Sequence, residues 1–329
     1  EAWLAAARPA AGPPQGGAAP SGGSATGEAV KRGGSSLAIP PMLTPFTLKD
    51  LTLKNRIVVS PMATYSAVEG VPQDFHLVHL GARALGGAAL VMVEMTSPTP
   101  EGRITPACPG LWNDAQQAAF ARIVHFVHGS STAKIGLQLG HSGPKGSTRV
   151  GWEGTDEPLE TGNWPLLAAS PIAYGAQNQT PAAMTRADMD RVTTAFVDSA
   201  RRAVACGFDW LELHCAHGYL LASFLSPATN QRTDDYGGSL DKRCRYPLEV
   251  LTALRAVWPA DKPLSVRISA HDWLQEGQGN TAADAIAIAR LFKAAGADLI
   301  DVSSGQTTRD SRPVYGRMYQ TPFADRIRN

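Results

Sequence analysis

The feature that most constrains this chain is a recurring pair, a short apolar run of β-type residues followed by a stretch of helical periodicity. The runs are RIVVSPM, ALVMVEM, KIGLQLGH, WLELHCAH, PLSVRISA and LIDVSSG. Most are separated by segments whose apolar residues recur at helical spacing. Two connecting helices carry capping signatures, Thr185 with Asp188 ahead of Met189, Val192 and Phe196, and Thr281 with Asp284 ahead of Ile288 and Leu291. In that arrangement a hydroxyl and a carboxylate satisfy donors that the first helical turn leaves unpaired. Strands and helices in alternation imply a parallel sheet covered by helices, either open and doubly wound or closed into a barrel.

The strand interiors discriminate between the two. Central strands of an open doubly wound sheet pack helices on both faces and are apolar on both. Successive side chains of a strand alternate faces, so Ile135, Leu137 and Leu139 oppose Gly136, Gln138 and Gly140. Likewise Leu211 and Leu213 oppose Glu212 and His214, and Val266 and Ile268 oppose Ser265, Arg267 and Ser269. A polar second face suits a barrel lumen. The expected fold is therefore α/β, a (β/α)8 TIM barrel with its active site at the C-terminal rim, where Gln138, His214, Arg267 and Ser303 converge.

Composition narrows the function classes. With 43% hydrophobic and 18% charged residues, the chain can bury a core and reads as soluble. Thirty basic against 29 acidic side chains give a net charge of +1, which offers nothing to nucleic acid or an anionic membrane surface. Four cysteines without a CxxC pair indicate neither a zinc ribbon nor a disulfide framework, and a reducing, cytoplasmic setting is expected. No apolar run approaches the ~18 residues of a membrane span. Residues 1–40, rich in Ala, Gly, Pro and Ser, read as a disordered linker. Residues 41–329 form the folded part, entered through a short hairpin in MLTPFTLKDLTLKN.

Several residues stand out for chemistry. His214 and His217 form an HxxH, but a zinc site needs at least a third ligand, for which His141 is the one obvious strand-end candidate. The pair can equally bond across the rim or hold a ligand. Arg267 lies within an apolar alternation and needs an anionic compensator, either a structural one such as Glu212 or Glu94, or a ligand that carries or develops negative charge. The phosphate-binding fingerprints GxGxxG and GxxxxGK[ST] are absent after the first strand. The connection from Pro144 to Met184 holds Trp152, Trp164 and Tyr174, and a loop of that length reads as a partly packed cover over the rim or as a seal on the barrel wall.

Taken together and in order, NRIVVSPMATYS, IGLQLGH, HCAHGYL, NQRTDDYGGSLDKR and SVRIS resemble the Old Yellow Enzyme family of FMN-dependent ene-reductases, from Pro41 to Asn329. DFHLVHLGARALGG, GLWND and SSGQTTRDSRPVYGRMYQTPFADRIRN are similar to the reductase part of bifunctional aroyl-CoA monooxygenases, of the salicylyl-CoA 5-hydroxylase and 2-aminobenzoyl-CoA monooxygenase/reductase kind, in which an FAD hydroxylase precedes it. By that resemblance Ser60, Pro61, Met62 and Ala63 lie along the flavin, with Met95 as a second-strand contact. Gln138 and Arg267 sit at the flavin's pyrimidine edge, His214 and His217 hold the oxygen of the substrate's electron-withdrawing group, Tyr65 touches substrate and Tyr219 donates a proton. The implied cofactors are FMN with NADH or NADPH, and the implied acceptor is an activated alkene or an aroyl-CoA derivative. Two other readings are a stand-alone NADPH dehydrogenase for small enones and a noncatalytic barrel that docks an upstream hydroxylase.

Two departures from the family pattern accompany the resemblance. Many relatives carry Cys or Thr where this chain has Ala63. The barrel is also expected to stop after about six βα units, short of the two that usually carry the phosphate site, so that residues 1–329 alone would hold FMN weakly.

Overall fold

The computed structural model describes residues 39–329, and the linker expected at the N-terminus falls outside the described residues up to position 38. The folded unit begins at Ile39. Six strands form one parallel sheet: β1 (Val58–Val59), β2 (Leu90–Thr96), β3 (Lys134–Leu139), β4 (Trp210–Cys215), β5 (Leu264–Ser269) and β6 (Leu299–Ser303). They pair in chain order, each with its sequence neighbour. Six helices alternate with them: α1 (Asp74–Leu85), α2 (Asp114–Ser130), α3 (Arg186–Cys206), α4 (Leu240–Val257), α5 (Ala282–Ala294) and α6 (Thr321–Arg328). Among the described residues β1 and β6 share no ladder, so the sheet is a curled half-barrel, consistent with the expected barrel of about six βα units. All six strands lie in the runs that the sequence marks.

Alternation along the strands sorts the side chains. Ile135, Leu137, Leu139, Leu211, Leu213, Val266 and Ile268 are fully buried against the helices and form the main core with Phe120, Phe196 and Phe292. Burying each such side chain contributes about 1.5–3 kcal/mol. Both predicted caps are present: Thr185 and Thr281 accept from the backbone N–H of Asp188 and Asp284, whose carboxylates accept in return. The predicted hairpin pairs Phe46–Leu48 with Leu51–Leu53. It closes the N-terminal end of the lumen by packing on Leu90, Met92, Trp210 and Leu299, which leaves the opposite end free for chemistry.

Two glycines shape the lumen. A Cβ at Gly136 would lie 2.4 Å from Met92 Sδ, and one at Gly140 would lie 2.6 Å from Met95 Sδ and 3.0 Å from His214 Cβ. Only bare backbone at these positions lets side chains of β2 and β4 cross the lumen. Gln138 is then the inward side chain that β3 presents nearest the rim. No helix among the described residues is long and apolar enough to cross a membrane.

Candidate active site

Parallel register places the inward residues of neighbouring strands side by side. Gln138 pairs with Glu212, Glu212 with Ser265, His214 with Arg267, and Arg267 with Asp301. Gln138 Nε2 donates to Glu212 Oε1 at 2.9 Å, and Ser265 Oγ donates to Oε2 at 2.8 Å. With its amide nitrogen committed, Gln138 presents its carbonyl oxygen as an acceptor. Burial, together with the nearby Asp301 carboxylate, pushes the Glu212 carboxyl up to about 7. Arg267 pairs with Asp301, Nη1 to Oδ2 at 3.4 Å, and its charge also acts on Glu212, one of the structural partners the sequence offers. Glu94 is occupied elsewhere: it accepts from Thr64 N at 2.9 Å and from Thr64 Oγ1, and lies 3.2 Å from His76 Nε2. That clamp fixes the segment carrying Ala63 and Tyr65.

His214 is the penultimate residue of β4, and His217 follows in the left-handed region, at φ +62°. Their rings lie 5.1 Å apart, and the His214 ring is 4.9 Å from that of Tyr219. A β-carbon-bearing residue in that backbone conformation is strained and must be held. Ser269 Oγ accepts from the His217 N–H at 3.0 Å, and Ser303 Oγ lies 2.7 Å from His217 Nε2. The backbone N–H of Ala216 donates to His214 Nδ1 at 3.1 Å, so the ring proton of neutral His214 sits on Nε2. Ser303 accepts from Gln320 Nε2 at 3.1 Å and can give its own proton to His217 Nε2, placing that ring's proton on Nδ1. Burial holds both histidines well below the ordinary 6.5, with His217, Arg267 and Lys145 adding to the effect at His214, and Arg267 and Lys145 adding to it at His217. Both are neutral hydrogen-bond donors near neutral pH. In long-range ¹H–¹⁵N spectra, His214 is expected to stay the neutral Nε2–H tautomer where a free imidazole is already protonated; a protonation midpoint at the unperturbed value of about 6.5 would contradict this.

Of the remaining predicted residues, Met95 and Tyr65 pack beside Tyr219. Ser60, Met62 and Ala63 are exposed, with Pro61 half-buried between them. Met95 is buried against Tyr65, Ile104, Cys108 and Tyr219. Tyr65 also occupies the left-handed region, at φ +49°, and its ring meets that of Trp152 at 5.8 Å. Of the long-loop aromatics, Tyr174 is buried, while Trp152 is 70% exposed and does not seal the wall. His141, the third candidate for a metal, accepts from the Gly143 N–H, and no group of three His, Cys, Asp or Glu side chains suited to a metal forms among the described residues. Missed by sequence reasoning were the Glu94 clamp, the Ser269 and Gln320 supports and Lys145. These residues lie far apart in the chain, so no local spacing could announce them.

The residues fit a flavin. Arg267 Nε is buried without a partner, which is costly unless a ligand supplies an acceptor. The donor Arg267 and the carbonyl of Gln138 project from one face, as the mixed acceptor and donor edge of a flavin ring requires. Such a half-barrel with its polar rim is a place where a ring cofactor could bind. The sequence profile described as NADH:flavin oxidoreductase / NADH oxidase matches residues 41–323. The chain belongs to this family, which uses FMN with NAD(P)H as hydride donor. It is 42% identical over 291 residues to an NADPH dehydrogenase of Geobacillus thermodenitrificans, covering 87% of this chain and 79% of that protein. Among solved structures, morphinone reductase superimposes with a TM-score of 0.72 at 26% identity, covering 90% of this chain and 79% of that one. 2-Naphthoyl-CoA reductase in complex with 2-naphthoyl-CoA shares the fold, with a TM-score of 0.78 at 23% identity, over 88% of this chain and 44% of that one.

Proposed function

We propose that the chain is an ene-reductase in which His214, His217 and Tyr219 act on an activated alkene above FMN. The observation that carries this reading is the clustering of two neutral imidazole donors and a phenol at the rim, on the face that bears Gln138 and Arg267. The chemistry FMN supplies when bound is acceptance of a hydride from NAD(P)H and its donation to an electron-poor double bond. His214 Nε2–H and His217 Nδ1–H hold the acceptor's oxygen and stabilise the charge that develops on it. Tyr219 delivers the proton to the second carbon. Gln138 and Arg267 orient the ring edge, and the guanidinium favours negative charge there. Ser60, Pro61, Met62, Ala63 and Met95 would hold the flavin, and Tyr65 would contact substrate.

The acceptor we favour is a dearomatised aroyl-CoA derivative, with an FAD hydroxylase upstream in cis. A stand-alone dehydrogenase for small enones is the second reading, supported by the 42% identity to an NADPH dehydrogenase. Anaerobic reoxidation of the NADPH-reduced holoenzyme by 2-cyclohexenone and by a dearomatised aroyl-CoA thioester separates them. Faster reoxidation by the thioester supports the first, faster reoxidation by the enone the second, and reoxidation by neither refutes both. Ala63 lacks the hydroxyl or thiol that a Thr or Cys would place beside the ring. Ala63→Thr is therefore expected to raise the flavin midpoint potential, and a redox titration without an upward shift would contradict the placement of this segment.

A further inference from the structure

Lys145 is the most deeply buried charge that the mechanism above does not use. Its side chain is 1% exposed. It comes from the turn that follows β3, and its ammonium meets groups from three segments. From the loop ahead of α3, Asp156 Oδ1 lies at 3.8 Å and the ring of Tyr174 has its centroid 4.4 Å from Nζ. From the loop after β6, Gln306 Oε1 accepts at 3.3 Å, and Gln306 is itself held at φ +60°. From the β4 end, the ring of Tyr219 presents its face with the centroid 5.1 Å from Nζ. One long hydrogen bond and one loose ion pair are weak compensation for an ammonium taken out of water. The two aromatic faces supply the rest, since ring quadrupoles attract a cation held above them.

A positive charge fixed over Tyr219 has a definite chemical effect. We propose that Lys145 is a positioning residue for proton delivery: its ammonium, seated between the rings of Tyr174 and Tyr219, stabilises the negative charge left on the Tyr219 oxygen when that phenol gives up its proton. The inference rests on the assignment of Tyr219 as proton donor. In that step the Tyr219 O–H bond breaks as a C–H bond forms on the acceptor carbon. The electron pair of the O–H bond stays on the phenolic oxygen, and a solvent proton later restores it. Burial, then Asp156, Tyr65, Cys108 and Tyr174, push the Tyr219 phenol well above its ordinary 10.0, so the step needs whatever countercharge the site can place at that ring. His214 and His217, which also face Tyr219, are neutral and contribute no countercharge. Burial lowers the Lys145 ammonium, Asp156 raises it and Arg309 lowers it, so Asp156 is the group that keeps Lys145 charged.

The test combines a spectroscopic and a kinetic reading on the FMN-loaded full chain. With 3,5-difluorotyrosine at position 219, the ¹⁹F shift reports the phenol's titration directly. Removal of the charge by Lys145→Met or Lys145→Gln is expected to raise its midpoint by about one unit or more, whereas Lys145→Arg leaves it nearly in place. In stopped-flow reoxidation by 2-cyclohexenone, a neutral acceptor, Met and Gln are expected to slow the reaction about ten- to a hundredfold, the factor that one to two pK units represents. The same changes made in a Tyr219→Phe background are expected to cost less than about threefold, because coupled residues are non-additive. Should Lys145→Met fail to fold, the contrast between Arg and Gln decides. An unmoved ¹⁹F midpoint, or equal losses with and without Tyr219, overturns the role of Lys145. A Tyr219→Phe variant that reoxidises at the wild-type rate overturns the donor assignment instead.

Discussion

Tyr219→Phe is expected to leave flavin reduction by NAD(P)H within about twofold of the wild type and to slow reoxidation by an alkene by about 10²- to 10⁴-fold, the usual worth of a positioned general acid. The asymmetry follows from geometry and timing. Tyr219 packs on His214 and under Lys145 at the rim, where an acceptor bound to the two imidazoles would place its second carbon. A hydride arriving at the flavin needs no proton from the protein, whereas completing alkene reduction does. Loss of the hydroxyl removes one donor and little volume, so the ring still covers the site and the flavin's surroundings are kept. Single-turnover measurements of the two halves separate the outcomes, since a lost interaction made only in one transition state lowers only that rate. Equal losses in both halves would mean that Tyr219 shapes the site rather than delivering a proton.

Much of the architecture was legible because strands and helices announce themselves locally. The period-two alternation of KIGLQLGH, WLELHCAH and PLSVRISA put Gln138, Glu212, His214 and Arg267 on one face, and the parallel register joins those same residues. The capping pairs Thr185/Asp188 and Thr281/Asp284 fixed two helix starts for the same reason, all their atoms lying within four residues. Partners brought together by the curl of the sheet were not legible. The sequence left Arg267 to answer to Glu212, Glu94 or an anionic ligand, and gave no sign that the sixth strand supplies Asp301 at the adjacent register position. Glu94 is instead spent on the segment after β1, and Lys145 is buried only because loops after β3 and β6 close over it. Composition could not foresee either, since a lysine in a Gly-Pro-Lys turn has the local signature of an exposed residue.

Arg267→Met is expected to be the most damaging single change to cofactor binding and fold together. One guanidinium, 15% exposed, faces two inward carboxylates, Glu212 and Asp301, and burial raises both carboxyls above their ordinary values while Arg267 opposes that rise. Removing the only cation of the trio leaves Asp301 without its ion pair and Glu212 with only the neutral donors Gln138 and Ser265, a loss of at most roughly 3–5 kcal/mol, the figure for a buried pair broken from one side. The pH dependence has a fixed sign. A carboxyl whose folded pKa lies above its unfolded value stabilises the fold least when ionised, so stability falls as pH rises from 4.5 through about 7 for Glu212. Without Arg267 the fall steepens and extends upward, so the penalty is largest near pH 8 and shrinks toward pH 5. Urea unfolding at those two pH values reads the difference, and adding Asp301→Asn to Arg267→Met is expected to recover part of the stability. FMN affinity, followed by flavin fluorescence quenching, is expected to drop at least about tenfold, because the unpaired Nε and the charge beside the ring edge are both lost. Arg267→Lys restores charge without the planar fork, so it should recover stability more fully than affinity. Equal recovery of the two would show that Arg267 serves the carboxylates alone.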